Sequence, residues 1–252
     1  VVDFGVWAGR KYFLDKMSLA DLVKAYFTHY AILVYLALAA AAITASVLLT
    51  DSLWKPLLAA AVTIALYPLV EYLLHRFVLH AQFLYKSPLT ARLWKRIHFD
   101  HHQNPNDMSV LFGALHTTLP PIAVITLPLG WAIGGPGSAA AAFAAGLLVF
   151  AFYEFCHCAQ HLPFKPRSAW LQRIKKSHVA HHFHNEQGNF GITSFAWDRA
   201  FGTYYPHAKQ VKRSPTVFNL GYTTKQAERY PWVAELSDAP RRPDPVCPAP
   251  GE

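Results

Sequence analysis

Fourteen histidines are spread through the 252 residues, and ten of them fall into four short groups. "HRFVLH" supplies His75 and His80, and "HFDHH" supplies His98, His101 and His102. "HCAQH" supplies His157 and His161, and "HVAHH" supplies His178, His181 and His182. Neutral imidazole binds iron, zinc, copper and nickel well and hard oxygen-seeking ions poorly. One tetrahedral zinc uses only four donors, so ten ligands point to two metals. His29, His116, His184 and His207 stand outside the groups and are expected to be ordinary surface or core residues.

The groups repeat in order. Each half reads as an apolar hairpin, a glutamate, a histidine pair, sixteen or seventeen residues, then His-x2-His-His, with about eighty residues between halves. That is the mark of an internal duplication. His157 and His161, at i and i+4, share a helix face. In "HFDHH" the first histidine shares a face with both others, while the adjacent pair diverges by roughly 100°. One such box can therefore address two neighbouring metals. His75 and His80, at i and i+5, do not share a face on a regular helix. Either the helix ends or bulges between them, or they serve different ions.

Five side chains are candidates to support the imidazoles. Glu71 lies four residues before His75 and Glu154 three before His157, each placed to hold an imidazole tautomer, with pairing of Glu71 to Arg76 as the plainer alternative. Asp198 and Asn185 are further candidates, and Asp100 is a candidate or a helix cap. Gly188 and Gly191 would let backbone pass close to the site. Cys156 and Cys158 flank His157 on other helix faces and read as packing residues. With Cys247 they give no disulfide framework, which fits a reducing compartment.

What must position these groups is mostly apolar. The chain is 53% hydrophobic and only 15% charged, against about a quarter charged for soluble domains. Residues 31–50 run without a charge, long enough to cross a hydrocarbon core of about 30 Å. Further spans are expected at 56–74, from about Leu111 to Gly134, and from about Ser138 to Cys156, with "GGPG" at 134–137 as a tight turn. Of 23 lysines and arginines, four precede the first span, five separate the second and third, thirteen follow the fourth, and Lys55 alone lies opposite. That bias places both termini and the 75–118 segment in the cytoplasm, and reads the +8 charge as membrane topology, with no nucleic-acid partner. The mixed, charged N-terminus does not read as a cleavable signal. "SLAD" (18–21) is a capping box opening an interfacial helix.

The expected fold is an all-α integral membrane protein: four transmembrane helices in two hairpins, with a cytoplasmic helical cap holding a histidine-ligated di-metal site. The expected divisions are 1–30 (N-terminal cytoplasmic segment and interfacial helix), 31–205 (membrane domain with the histidine cap) and 206–252, a Pro-rich tail lacking ordered structure.

The boxes "HRFVLH", "HFDHH", "HCAQH" and "HVAHH", with the following "GNFGITSFAWDRAFGT", resemble the fatty acid hydroxylase/sterol desaturase superfamily of membrane di-metal oxygenases, over roughly residues 56–205. The first box and the Gly-x5-Trp-Asp…Phe-Gly-Thr segment are most similar to the fatty acid 2-hydroxylases. The resemblance implies two iron ions on the ten histidines, dioxygen activation, and hydroxylation of an unactivated C–H bond in a membrane lipid acyl chain. It implies electrons from an external carrier, a cytochrome b5-like protein or a ferredoxin with its reductase. Zinc can displace ferrous iron from such ligands in a purified sample. A head group held at the membrane surface by Trp94, Trp170, Arg173, Lys175 and Lys176 is a further expectation. The alanine-rich spans favour a bacterial inner membrane, or the endoplasmic reticulum in a eukaryote.

Rival readings are a desaturase of the same superfamily, a histidine-rich metal-binding or transport protein, a bis-histidine heme protein and a zinc hydrolase. Transport would need ligands at mid-membrane depth, whereas these gather at the span ends. Heme would show a Soret band, and product analysis separates hydroxylation from desaturation.

Overall fold

Residues 11–237 are described by a computed structural model. Among them the chain is helical, with one isolated β-bridge between Phe13 and Asp107. The elements are α1 (Leu19–Thr28), α2 (Tyr30–Leu48), α3 (Trp54–Leu74), α4 (Pro88–Trp94), α5 (Asp100–Gln103), α6 (Met108–Leu111), α7 (Leu115–His161), α8 (Ala169–Phe183), α9 (Ala196–Ala200), α10 (Thr224–Arg229) and α11 (Trp232–Glu235). Three helical stretches are long and apolar enough to cross a membrane: Tyr30–Leu48, Trp54–Lys86 and Met108–His161.

These helices are apolar all round, and large side chains such as Leu48, Leu57, Val124 and Trp131 lie exposed on them. That pattern fits a lipid surrounding, in which every backbone polar group must be satisfied within the helix. Thr44, Thr63 and Thr126 donate their hydroxyls back to the carbonyls of Ala40, Ala59 and Ile122, which satisfies these three groups within their own helices. Helices α2 and α3 both pack on α7.

The stretch expected as two spans joined by a tight turn is one 47-residue element, broken where Gly134 (φ −167°) and Gly135 (φ 74°) leave helical backbone. Glycine tolerates the left-handed conformation at Gly135, and Pro136 follows as a natural first helical residue. The chain folds back on itself here. A Cβ on Gly130 would come within 2.3 Å of the Ser138 carbonyl, and one on Gly146 within 2.8 Å of Thr126. The second arm does not stop at Cys156 but continues to His161, carrying both histidines of its box on regular helix.

At the N-terminal side, Ser18 and Asp21 form the expected capping box of α1. The Tyr26 hydroxyl donates to the Ala151 carbonyl, tying α1 to α7. On the opposite flank of the histidine region, Tyr85, Ala91, Trp94, Phe99, Leu220, Tyr222 and Val233 form a separate buried cluster. Two expectations fail on it. Trp94 is fully buried there and cannot hold a head group at the membrane surface. The segment from Pro206 is ordered through residue 237, because Leu220, Tyr222 and Val233 have apolar partners in α4 and the turn after α3. Its apolar residues follow no helical period because they pack from turns and short helices, so periodicity could not reveal them. Residues 1–10 and the end of the expected tail, including Cys247, lie outside the described residues.

Candidate metal centre

Two π-helical turns bring the first-half histidines together. At His75–Leu79 the turn widens and the His80 N–H donates to the His75 carbonyl five residues back (3.1 Å). The extra residue per turn puts i and i+5 on one face, so the bulge, and not a split between two ions, resolves the irregular spacing. A second π turn, Lys95–Phe99, precedes α5 and aims His98, His101 and His102 inward. In the second half, α7 supplies His157 and His161, and α8 supplies His178, His181 and His182.

The ten imidazoles form one buried cluster with two centres. Donor nitrogens of His101, His157, His161, His178 and His182 lie within 4.8 Å of one another, as do those of His75, His80, His98 and His181; His102 groups with His181 and His182. Each centre draws on both halves of the chain. The "HFDHH" box is divided, His101 grouping with one centre and His98 with the other, although the spacing alone put His98 on a shared face with His101. Nε2 atoms face each other at 3.0 Å for His75 and His98, 3.1 Å for His80 and His98, and 3.2 Å for His98 and His102. At the other centre His101 faces His157, and His161 faces His178, both at 2.9 Å. Nitrogens about 2.0–2.1 Å from one shared metal sit roughly 2.9–3.4 Å apart, so these facing pairs have the spacing of donors to a common ion.

Burial favours the neutral form that a metal needs. It holds the imidazoles of His98, His101, His102, His178 and His182 well below the usual histidine range, reinforced by their histidine neighbours, and lowers His181 to about 4. The free cysteines behave as packing residues: Cys156 lies among Ile174, Ile192 and Phe195, and Cys158 in the core beside Leu162.

The carboxylates act one step further back than their spacing suggested. Glu71 touches no imidazole and does not pair with Arg76, which donates to the Tyr72 hydroxyl instead. Glu71 accepts the backbone N–H groups of Ile192 and Thr193 and the Thr193 hydroxyl. Asp198 accepts the N–H groups of Phe190 and Gly191, each at 2.8 Å, and the Thr203 hydroxyl. Four consecutive amides are thus gripped by two buried carboxylates. The carbonyls of this gripped loop do the orienting: His75 Nδ1 donates to Phe190 O (2.5 Å) and His181 Nδ1 to Gly188 O (2.8 Å). Close approach is why glycine stands here, since a Cβ on Gly188 would lie 2.3 Å from the Thr203 carbonyl and one on Gly191 2.0 Å from that of Ser194.

Three other candidates do not join the imidazoles. Among the described residues Glu154 receives only the Gly113 N–H (3.4 Å). Asn185 caps a turn, accepting from Gln187 N–H and donating to Lys212 O. Asp100 pairs with Lys95 at 2.7 Å. His184 donates to Val211 O, and His116 and His207 also lie outside both centres.

Two further contributors carry no signal in residue type or spacing. Asn189, at φ 57°, bonds backbone of Tyr205 through both side-chain atoms and so fixes the loop. Val217, in the segment expected to lack order, offers the carbonyl that accepts His102 Nδ1–H (2.9 Å). Buried Glu186 holds that segment through Ser214 and Thr216. An "S/T-x-S/T" pair opposite a lone glutamate is too common to have flagged it. Beside His80, Arg76, Phe77, Gln82, Glu186 and Phe190 line a cavity of about 200 Å³.

Comparison with known proteins agrees with this architecture. A sequence model described as "Fatty acid hydroxylase" matches residues 60–203. The chain is 34% identical over 150 residues to the ceramide very long chain fatty acid hydroxylase SCS7 of Saccharomyces cerevisiae, covering 57% of this chain and 37% of that one. It is 31% identical over 157 residues to human fatty acid 2-hydroxylase, covering 58% and 39%. It is 34% identical over 143 residues to a dihydroceramide fatty acyl 2-hydroxylase of Arabidopsis thaliana, covering 53% and 54%. The chain therefore spans between about a third and a half of the length of these relatives. A solved structure titled full-length scs7p, with only its hydroxylase domain visible, superposes with a TM-score of 0.59 at 28% identity, covering 80% of this chain and 71% of that one.

Proposed function

Because this chain belongs to the fatty acid hydroxylase family, we propose that it is a membrane di-iron oxygenase that hydroxylates the acyl chain of a lipid, with position 2 of a sphingolipid-like acyl group as the preferred target. The observation that carries the reading is the single buried cluster in which ten imidazoles from both halves of the chain meet in two centres. His75, His80, His98, His102 and His181 would hold one iron, and His101, His157, His161, His178 and His182 the other. Bound there, iron would supply the oxidising power to break an unactivated C–H bond with dioxygen. The balance is one C–H bond, one dioxygen, two electrons and two protons, giving an alcohol and water.

The protein's part is placement. Burial keeps the imidazoles neutral and excludes bulk water from the reacting carbon. The loop gripped by Glu71 and Asp198 fixes the tautomers of His75 and His181. Electrons would come from an acidic external carrier of the cytochrome b5 or ferredoxin kind. Residues 155–185 contain five lysines and arginines and no carboxylate, a surface suited to steering such a partner.

In this reading α2, α3 and the two arms of α7 on either side of Gly134–Gly135 each cross the bilayer, with both chain ends on the cytoplasmic side of a bacterial inner membrane. The membrane domain would run over 31–205, after an N-terminal cytoplasmic segment of 1–30. Lipid analysis of cells with and without the chain, grown under isotopically heavy dioxygen, tests the proposal. A lipid pool gaining one heavy oxygen atom supports it. Loss of two hydrogens with no heavy oxygen would reassign the chain to desaturation, and no lipid change would remove the enzymatic reading.

A further inference from the structure

The two metal positions are not anchored alike. At the centre of His75, His98 and His181, with His102 facing His98 at 3.2 Å, three Nδ1–H groups donate to backbone carbonyls: His75 to Phe190, His181 to Gly188 and His102 to Val217. At the other centre the Nδ1 atoms of His101, His178 and His182 are buried and meet no acceptor among the described residues. Both centres draw on five imidazoles, so donor number does not separate them. Orientation does.

A carbonyl on Nδ1–H fixes which nitrogen is free for a metal, locks the ring and raises its basicity; losing one such partner commonly costs 10- to 100-fold in affinity. The carbonyls are themselves held. The loop bearing Gly188 and Phe190 is bound by Asp198 at 2.8 Å through two amides, and by Glu71 through the next two. Asn189 pins the same loop to Tyr205 (2.9 and 3.0 Å). The unanchored centre takes His101 from α5 and its other ligands from α7 and α8, whose helices fix Cα positions but bring no acceptor to the Nδ1 atoms of His101, His178 and His182 among the described residues.

We infer that the centre of His75, His80, His98, His102 and His181 binds its metal first and releases it last, and that Asp198 and Glu71 act as positioning residues for that centre alone by holding the 188–193 loop. The second metal is then the exchangeable one. The inference rests on the ten-histidine ligand reading and adds an order and a cause to it.

Zinc(II) titration of the metal-free full chain in detergent, read against a competing chelator and checked by elemental analysis, tests it without reference to catalysis. Two phases at least tenfold apart are expected in the parent. His157→Ala should remove the weak phase and keep the tight one, and His80→Ala should do the reverse. Asp198→Asn should weaken the tight phase about 10- to 100-fold and leave the weak phase within a factor of about two. Thr193→Val, which removes only one hydroxyl from the Glu71 clamp, is the milder variant and should shift the tight phase by a few-fold. Selective loss at one centre is what a merely structural role would not produce. A single phase of two equivalents, a tight phase lost with His157, or equal weakening of both phases by Asp198→Asn would overturn the inference and leave the ligand reading standing. Fewer than two zinc ions bound at saturation would overturn both.

Discussion

Trp94→Ala tests the unexpected order of the 206–237 segment. Trp94 is fully buried at the centre of the cluster with Tyr85, Phe99, Leu220, Tyr222 and Val233, and its ring lies 4.8 Å from Phe99 and 4.9 Å from Tyr85. Truncating a buried tryptophan to alanine costs about 3–5 kcal/mol. The segment's grip is this cluster plus a few hydrogen bonds, such as Trp232 Nε1–H to Tyr85 O, so the loss falls mainly on its local opening and not on the helices of the membrane domain. At about 1.4 kcal/mol per tenfold, the opening constant of residues 216–235 should rise roughly a hundred- to several-thousand-fold. Deuterium uptake of peptides from 216–235, with trypsin cleavage at exposed Lys209, Lys212 and Arg213, reads this directly. Trp94→Phe is the control. It keeps most of the ring and removes an indole N–H that meets no acceptor among the described residues, so its cost should stay under about 1.5 kcal/mol. Unchanged exchange at 216–235 in Trp94→Ala would refute the claim that this cluster holds the segment over the metal centre.

Three further outcomes are expected. His101→Ala or His181→Ala should reduce hydroxylated product by at least about a hundredfold, consistent with loss of a metal ligand, while exposed His116→Ala leaves it intact; equal loss in all three would show no special role for the clusters. His29 stacks on Phe112 (4.1 Å), and burial lowers it from 6.5 to about 4. The unfolded chain therefore binds its proton first, so stability falls as pH drops from about 6.5 to 4, by about 3 kcal/mol in full. His29→Phe should make that acid limb shallower by about this amount in melting curves of the metal-free protein, the remainder coming from the buried imidazoles of the two centres, and parallel curves would contradict it. Gly135→Ala should cost about 1–3 kcal/mol through backbone strain alone, because φ 74° with ψ −157° is a conformation essentially confined to glycine and the Cβ itself would meet nothing. Gly130→Ala should cost a comparable 1–3 kcal/mol for a different reason, a Cβ 2.3 Å from the Ser138 carbonyl; neutral melting temperatures would argue against the fold-back at Gly134–Gly135.

The parts of this protein that were legible in its sequence are those with a period or a repeat. Long charge-free runs showed α2 and α3, Ser18 and Asp21 showed the start of α1, and the duplicated spacing picked out the ten histidines that form the clusters. Spacing at i and i+5 flagged a bulge after α3, but only coordinates could choose the π turn over a helix end. What stayed hidden was backbone. Phe190, Gly188 and Val217 orient imidazoles through carbonyls that every residue possesses, so no residue type announces them. Glu71 and Asp198 stand out in the sequence by their place near the boxes, yet their partners are loop amides and not the imidazoles beside them in sequence. Asn185 and Asp100 drew notice only by lying near the boxes, and each satisfies a local bond instead. Order beyond Pro206 was missed because Tyr222 and Val233 find their partners more than a hundred residues away.

The most direct test of the account is the metal content of the intact chain purified from iron-supplied cells, measured per polypeptide by elemental analysis. Two metal ions per chain, iron with or without exchanged zinc, are predicted. One ion or none in folded protein with all ten histidines present would contradict the claim that the two halves close around a pair.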